Sequence, residues 1–548
     1  MVVEFLSLLA ALAGSTSALD GELGPLQAAY DVQHYDLDLT VDPGRKTIDG
    51  SLTVHAHLLA PLTRFELDLD NRLSVREVRS GDLKLPHSHG EGKLLIDIEP
   101  LGDVDQVRLT VEYGGRPRVA PRPPWDGGFT WSKTAAGDPW IATSCQGEGA
   151  DLWWPCKDHP SDEPESMDIS VSVPSGLTVA SNGRLISTEL RADGLTTFHW
   201  HVSTPINNYG VALNIAPYKR IDREYESVTG EAIPVVFWVL PEHLEQGREF
   251  LPQFIEHLRF YEELLGPYPF RADKYGIAET PHLGMEHQTI IAYGNDFGPP
   301  RRGFDWLHHH ELAHEWWGNL ATAADWRDFW IHESFATYAQ ALYAEKLDGP
   351  DGYRGYMNSF PSLRNEKPVA PRKPRSAQSA YFAGARSKPD NDVYYKGAWV
   401  LHSLRWLMGD EPFFRAQRRL AYPDPELALT SDGSACHFVT TEEFQSLAEE
   451  EHGASLDWFF EVYLRQPALP RLVSKRSGDS LHLRWQVPGE LAFPMPVELR
   501  IAQKLERHVI PKAGLRIELA PGQELEIDPH EWLLRDRSAA AGDVERRR

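Results

Sequence analysis

The chain has little cysteine: Cys145, Cys156 and Cys436 are the three among 548 residues. So sparse and odd a set excludes a disulfide framework. A single Cys145–Cys156 bridge is conceivable in an oxidising compartment, but the pattern reads first as buried free thiols. Positive charge is also short. Lys and Arg number 55 against 80 Asp and Glu, a formal net charge of −25. A surface of that sign repels phosphate backbones, which argues against a nucleic-acid partner. Long apolar runs are missing too. Beyond the first residues nothing approaches the roughly 18 apolar residues of a membrane span, and no internal repeat or low-complexity block occurs.

What is present begins with MVVEFLSLLAALAGSTSALDG, an apolar run from Phe5 to Leu12 followed by small residues. Thr16 and Ala18 stand at the spacing a signal peptidase accepts, so residues 1–18 are expected to be a cleaved signal peptide and the protein secreted or periplasmic. Glu4 and the lack of Lys or Arg ahead of the run keep a cytoplasmic chain as the alternative.

Period-two alternation dominates the next stretch, in HYDLDLTVD, SLTVHAHL, FELDLD, QVRLTVEY and DISVSV. It predicts an N-terminal antiparallel β domain over 19–227. AIPVVFWVL, ending at Leu240, reads as one more buried strand. The period then changes to helical. EHLEQGREFLPQFIEHLRFYEELLG ends at Gly266 before Pro267, a normal helix stop. Further helical patterns at about 303–320, 328–348, 393–409 and 440–465 define a mainly helical domain over 228–468. Alternation returns in RLVSKR, SLHLRWQV and MPVELRIAQ, a small β-sandwich over 469–536, before a disordered tail at 537–548. The fold class is multidomain α+β.

The chemistry concentrates in HHHELAHEWWGNL. His310-Glu311-Leu312-Ala313-His314 is an H-E-x-x-H pattern. Residues i and i+4 share a helix face, so both imidazoles reach one metal while Glu311 stands beside it. Nitrogen ligands suit zinc, and a neighbouring carboxylate can take a proton from water there. A solvated polar helix face would give the same letters. What lowers that reading is Glu333, on the next predicted helix with eighteen residues between it and His314. His332 is adjacent, yet successive helix residues point about 100° apart, so one of the two faces a metal. His308 and His309 precede the motif, but only His310 is followed by Glu.

These residues resemble the gluzincin aminopeptidases of the M1 family, whose pattern is H-E-x-x-H, eighteen residues, then Glu. The resemblance runs from about Tyr30 to Leu534 and includes HYDLDL, LGPYPF, VYYKGAW and the TTEEF…LDWFF…LRQPALP segment. It implies a thermolysin-like catalytic domain, one Zn2+ per chain on His310, His314 and Glu333, and Glu311 as general base toward a zinc-activated water. It also implies peptide substrates with a free N-terminus. The family's Gly-x-Met-Glu-Asn loop matches Leu283-Gly284-Met285-Glu286-His287. There Glu286 corresponds to the acceptor of the substrate's α-ammonium, with Gly284 and Met285 beside it. Tyr394, rather than Tyr395, corresponds to the tyrosine that hydrogen-bonds the oxyanion. Gln146 corresponds to a glutamine of the first subsite.

The chain departs from the family at Leu283, usually a small residue, at His287, usually Asn, and at Asp151, usually Arg. The first two bear on the shape of the first pocket, the third on local packing and peptide-backbone contacts. The large C-terminal helical domain of many members is not expected after the β-sandwich, and a more open cleft is. The alternatives are another zinc peptidase specificity such as an endopeptidase, an epoxide hydrolase of the same family, and a catalytically inactive peptide-binding relative. Glu286 argues against the first; nothing in the chain points to a lipid epoxide. Retention of the ligand set and Tyr394 argues against the last.

Overall fold

A computed structural model describes residues 23–298, 302–381, 391–520 and 523–537. The expected signal peptide lies outside them, as does the expected tail beyond residue 537. By contacts the chain forms two units. The first comprises residues 1–326, 374–378 and 424–438; the second comprises 327–373, 379–423 and 439–548.

The first unit opens with an eight-stranded sheet whose central pair is Tyr30–Asp42 and Thr47–Leu58. Alternation decides what each strand buries. Tyr35, Leu37, Leu39 and Val41 are fully covered, and such side chains contribute about 1.5–3 kcal/mol each. Asp36, Asp38 and Thr40 take the other face. The pairing is antiparallel except where Tyr30–Asp42 runs parallel to Ser166–Pro174, so the β domain is not purely antiparallel. Strand Ala232–Val239 belongs to a different, five-stranded sheet. It pairs antiparallel with Lys219–Glu226 and parallel with Tyr275–Glu279, across the helix Leu244–Leu265. That helix buries Leu251, Phe254, Leu258, Tyr261 and Leu265 at 3–4-residue spacing and ends at Gly266, as predicted. Gly284–Met285 closes the edge of this sheet, antiparallel to Ile291–Tyr293.

The second unit is built on the helices Trp330–Met357, Asp392–Met408, Asp410–Ala421 and Thr441–His452. The last begins with a capping box between Thr440 and Glu443. Helices Trp330–Met357 and Asp392–Met408 approach closely because Gly397 has no side chain: a Cβ there would overlap Ser334 Oγ. Ser334 Oγ donates to Val393 O at 2.5 Å and locks the pair. Two three-stranded sheets follow, with Leu481, Leu483, Val497 and Leu499 buried. Among the described residues no helix is long and apolar enough to cross a membrane. The three cysteines are free.

Candidate active site

The helix Trp306–Ala313 carries the motif, and its start is fixed chemically. Asp305 Oδ1 accepts the His308 N–H at 2.9 Å as N-cap, while Oδ2 accepts from Tyr293 OH at 2.7 Å and Asn295 Nδ2 at 2.9 Å. With the start fixed, His310 and His314 fall on one face. Their Nε2 atoms stand 3.3 Å apart and their rings cross at 84°. Two nitrogens bound at about 2.0–2.1 Å to a tetrahedral zinc are separated by about 3.4 Å, so the pair fits that ion. His314 donates Nδ1–H to Trp317 O at 2.9 Å, which makes Nε2 the nitrogen that carries the lone pair. Burial pushes His310 down to about 4, keeping it neutral as a ligand must be.

His308 and His309 turn elsewhere. His308 stacks on Phe254 at 3.7 Å and contacts Tyr275 OH; His309 receives Tyr261 OH at 2.9 Å. Both are fully buried. They hold the helix against Leu244–Leu265 and explain why a run of three histidines contains one member of the metal pair.

Glu311 is buried beside Gly284. A Cβ on Gly284 would overlap the Glu311 carboxylate and come 2.6 Å from Leu307 Cδ1. A larger residue in the loop would have to displace the Glu311 carboxylate or Leu307. Glu286, two residues on, is 3% exposed. Its carboxylate accepts from Gln146 Nε2, and from Tyr209 OH at 3.1 Å, and its main-chain oxygen accepts from Asn319 Nδ2 at 3.1 Å. One ligand atom each of Glu286, Glu311 and His314 lie within 4.8 Å of one another. The structure therefore brings Gln146, Gly284, Glu286, Glu311, His310 and His314 together, with Met285 buried in the same strand. His287 is a core residue: it is fully covered, and burial with the neighbouring His282 pushes it down to about 3.

The remaining predicted residues lie in the second unit. Glu333 stands in the first turn of Trp330–Met357, 3% exposed, and accepts Tyr381 OH at 3.1 Å. Tyr394 stands in the first turn of Asp392–Met408, its ring 6.4 Å from that of Tyr381. The Ser334–Val393 bond joins the residues that follow Glu333 and precede Tyr394. Tyr395 packs on Phe360 at 5.2 Å and Lys396 reaches Pro467 O at 2.7 Å. Sequence reasoning missed Tyr209, Tyr381 and Asp305. Only Asp305 carried a local signal, an N-cap residue before the motif helix.

Comparisons with known proteins bear on the family. The model of the peptidase M1 N-terminal domain matches residues 31–209 and that of the peptidase family M1 domain matches 301–421, together more than half the chain. Mouse endoplasmic reticulum aminopeptidase 1 is 24% identical over 64% of this chain and 41% of its own length. Mouse aminopeptidase B is 27% identical over 61% of this chain and 53% of its own length. The chain thus spans about two fifths to a half of these relatives. An M1 zinc metallopeptidase from Deinococcus radiodurans, solved as a mutant bound to a Tyr-Ser-Ala substrate, superposes with a TM-score of 0.63 at 24% identity, covering 82% of this chain and 96% of that one. The metal-ready histidine pair, the buried Glu286 and these matches lead to one assignment: the chain belongs to peptidase family M1.

Proposed function

We propose that the protein is a zinc-dependent aminopeptidase that removes N-terminal residues from peptides. The observation that carries this reading is the place of Glu286: a buried carboxylate within 4.8 Å of both Glu311 and His314. The α-nitrogen and scissile carbonyl carbon of an N-terminal residue are two bonds apart, about 1.5 Å each. A carboxylate so near the base suits an ammonium with one residue between it and the cleaved bond, and a charge-assisted hydrogen bond there selects a chain terminus.

The ligands are His310, His314 and Glu333, the third assigned by its spacing from the motif, for one zinc ion per chain. When bound, zinc supplies the Lewis acidity that makes water a nucleophile at neutral pH. Glu311 takes the proton from that water and delivers it to the leaving amine. Tyr394 donates its phenol O–H to the oxygen on which negative charge develops. Tyr381 holds the Glu333 carboxylate by its hydrogen bond, and the Trp317 carbonyl holds His314. Gln146 and Tyr209 fix the carboxylate that receives the amine.

The test is Glu311→Gln. It keeps the size of the side chain and removes the base. The variant is expected to retain stoichiometric zinc and to lose about 100-fold or more in kcat on aminoacyl arylamides. Undiminished turnover in a zinc-loaded variant sinks the mechanism.

A further inference from the structure

The turn that carries Gln146 continues into an unusual pair of acids. Gly149 adopts φ +103°, and a Cβ built on it would overlap Asp158 Oδ2 and come 2.6 Å from Asp151 Oδ1. Two carboxyl oxygens therefore converge over a bare glycine. Asp151 is 4% exposed and Asp158 7%. Asp158 Oδ1 accepts the Ala150 N–H at 3.0 Å, and its own N–H donates to Asp68 Oδ2 at 3.0 Å. Asp151 Oδ1 has no hydrogen-bond partner among the described residues.

The cation that acts on this pair, Lys93, is shared with two further acids. Lys93 is engaged by Asp68 and, at 3.0 Å, by Glu66. Lys157 is spent on Asp162 and on Tyr30 O at 2.7 Å. The other groups facing the pair, Asp68, Asp70 and the thiols of Cys145 and Cys156, are acids or neutral. His159 is pushed down to about 4 by burial and by Lys157, so it brings no charge. Two buried carboxylates that share with other acids one committed cation, Lys93, do not both ionise.

We propose that Asp151 and Asp158 hold one proton between them, and that this acid–carboxylate pair is a positioning device for Gln146 and, through it, for Glu286. The link is short. Gly149 N–H and Glu148 N–H both donate to Cys145 O, at 2.7 and 3.1 Å, and close the turn around Gln146. A small cavity lined by Gln146, Gly149, Asp158, Asn208, Tyr209 and Trp326 lies between Asp158 and the two donors of Glu286. Loss of the proton to solvent leaves two negative charges over Gly149, and their repulsion spreads the turn. Burial raises both carboxyls, Asp158 to about 7. A carboxyl held above its ordinary value of about 3.9 contributes stability that is present at low pH and lost as pH rises through the folded value. The turn is firm in acid and loosens as pH rises through about 7.

The consequence for KM rests on Glu286 being the amine acceptor; the shared proton does not, so the test has two arms. Difference infrared spectra of the zinc-loaded protein at neutral pH are expected to lose one protonated carboxyl band in Asp151→Asn, and one in Asp158→Asn. Spectra unchanged in both variants overturn the proposal, as does a wild type with no protonated carboxyl. In the second arm, the wild-type KM for a free-amine arylamide rises above neutral pH by about threefold, the size of half a pKa unit of coupling, with kcat little changed. In Asp151→Asn the amide donates permanently to Asp158, and only the smaller rise from the substrate amine's own titration remains. The same alkaline rise in Asp151→Asn overturns the positioning role. Equal cleavage of free and N-acetylated substrates, with the infrared result intact, faults the assignment of Glu286 instead.

Discussion

Gly284 lies so close to the Glu311 carboxylate that a methyl group at position 284 would occupy the same space as its Oε1. The loop that presents Glu286 and the helix that presents the base are therefore fitted to each other at this contact. Gly284→Ala is expected to displace Glu311 rather than the histidines. Turnover should fall by about tenfold or more, the scale on which misplacing a reacting group is felt, with zinc content preserved. Metal analysis alongside kcat checks it; full turnover in the variant shows that the contact has no catalytic weight.

The cap of the motif helix is a second point of control. Asp305 satisfies the first turn and is itself held by Tyr293 and Asn295. Asp305→Ala should cost about 1 kcal/mol, and Asp305→Ser should recover most of it by keeping an acceptor for the His308 N–H. Chemical denaturation followed by tryptophan fluorescence measures both. Equal losses in the two variants would show that capping is not the source.

Acid should weaken the fold through its buried histidines. His402 accepts Tyr353 OH at Nδ1, 2.6 Å, and donates Nε2–H to Glu531 O at 3.1 Å, so the folded protein holds it neutral. Burial pushes it down to about 3. A histidine lowered in the fold gives stability that is complete above its ordinary value of about 6.5 and is lost as pH falls from there, at up to about 1.4 kcal/mol per pH unit. Thermal unfolding between pH 7 and pH 5 is expected to show this slope, reduced in His402→Gln. An identical slope in the variant assigns the acid lability to other groups.

Much of this was legible in the sequence, for identifiable reasons. Helix periodicity makes His310, Glu311 and His314 share a face whatever surrounds them, and the stop at Gly266 and the Thr440–Glu443 capping box are local chemistry. Gln146 and Glu286, 140 residues apart, were paired through family resemblance, because no local pattern links them. Tyr209 and Tyr381 were not legible: each is one aromatic residue among many until the fold brings its hydroxyl to Glu286 or Glu333. The parallel pairing of Tyr30–Asp42 with Ser166–Pro174 was equally hidden, since alternation sets which face is buried and not which neighbour a strand takes. The departure at Asp151 reads differently once its partner is visible: it faces Asp158 over Gly149.

The central claim is that a buried carboxylate, Glu286, restricts this zinc site to chain termini. Its most direct test compares a free-amine peptide with its N-acetylated twin, with product masses followed over time. The account predicts stepwise loss of single N-terminal residues from the free peptide, abolished by a chelator, and no cleavage of the acetylated one. Internal cleavage, or equal rates on both peptides, contradicts it.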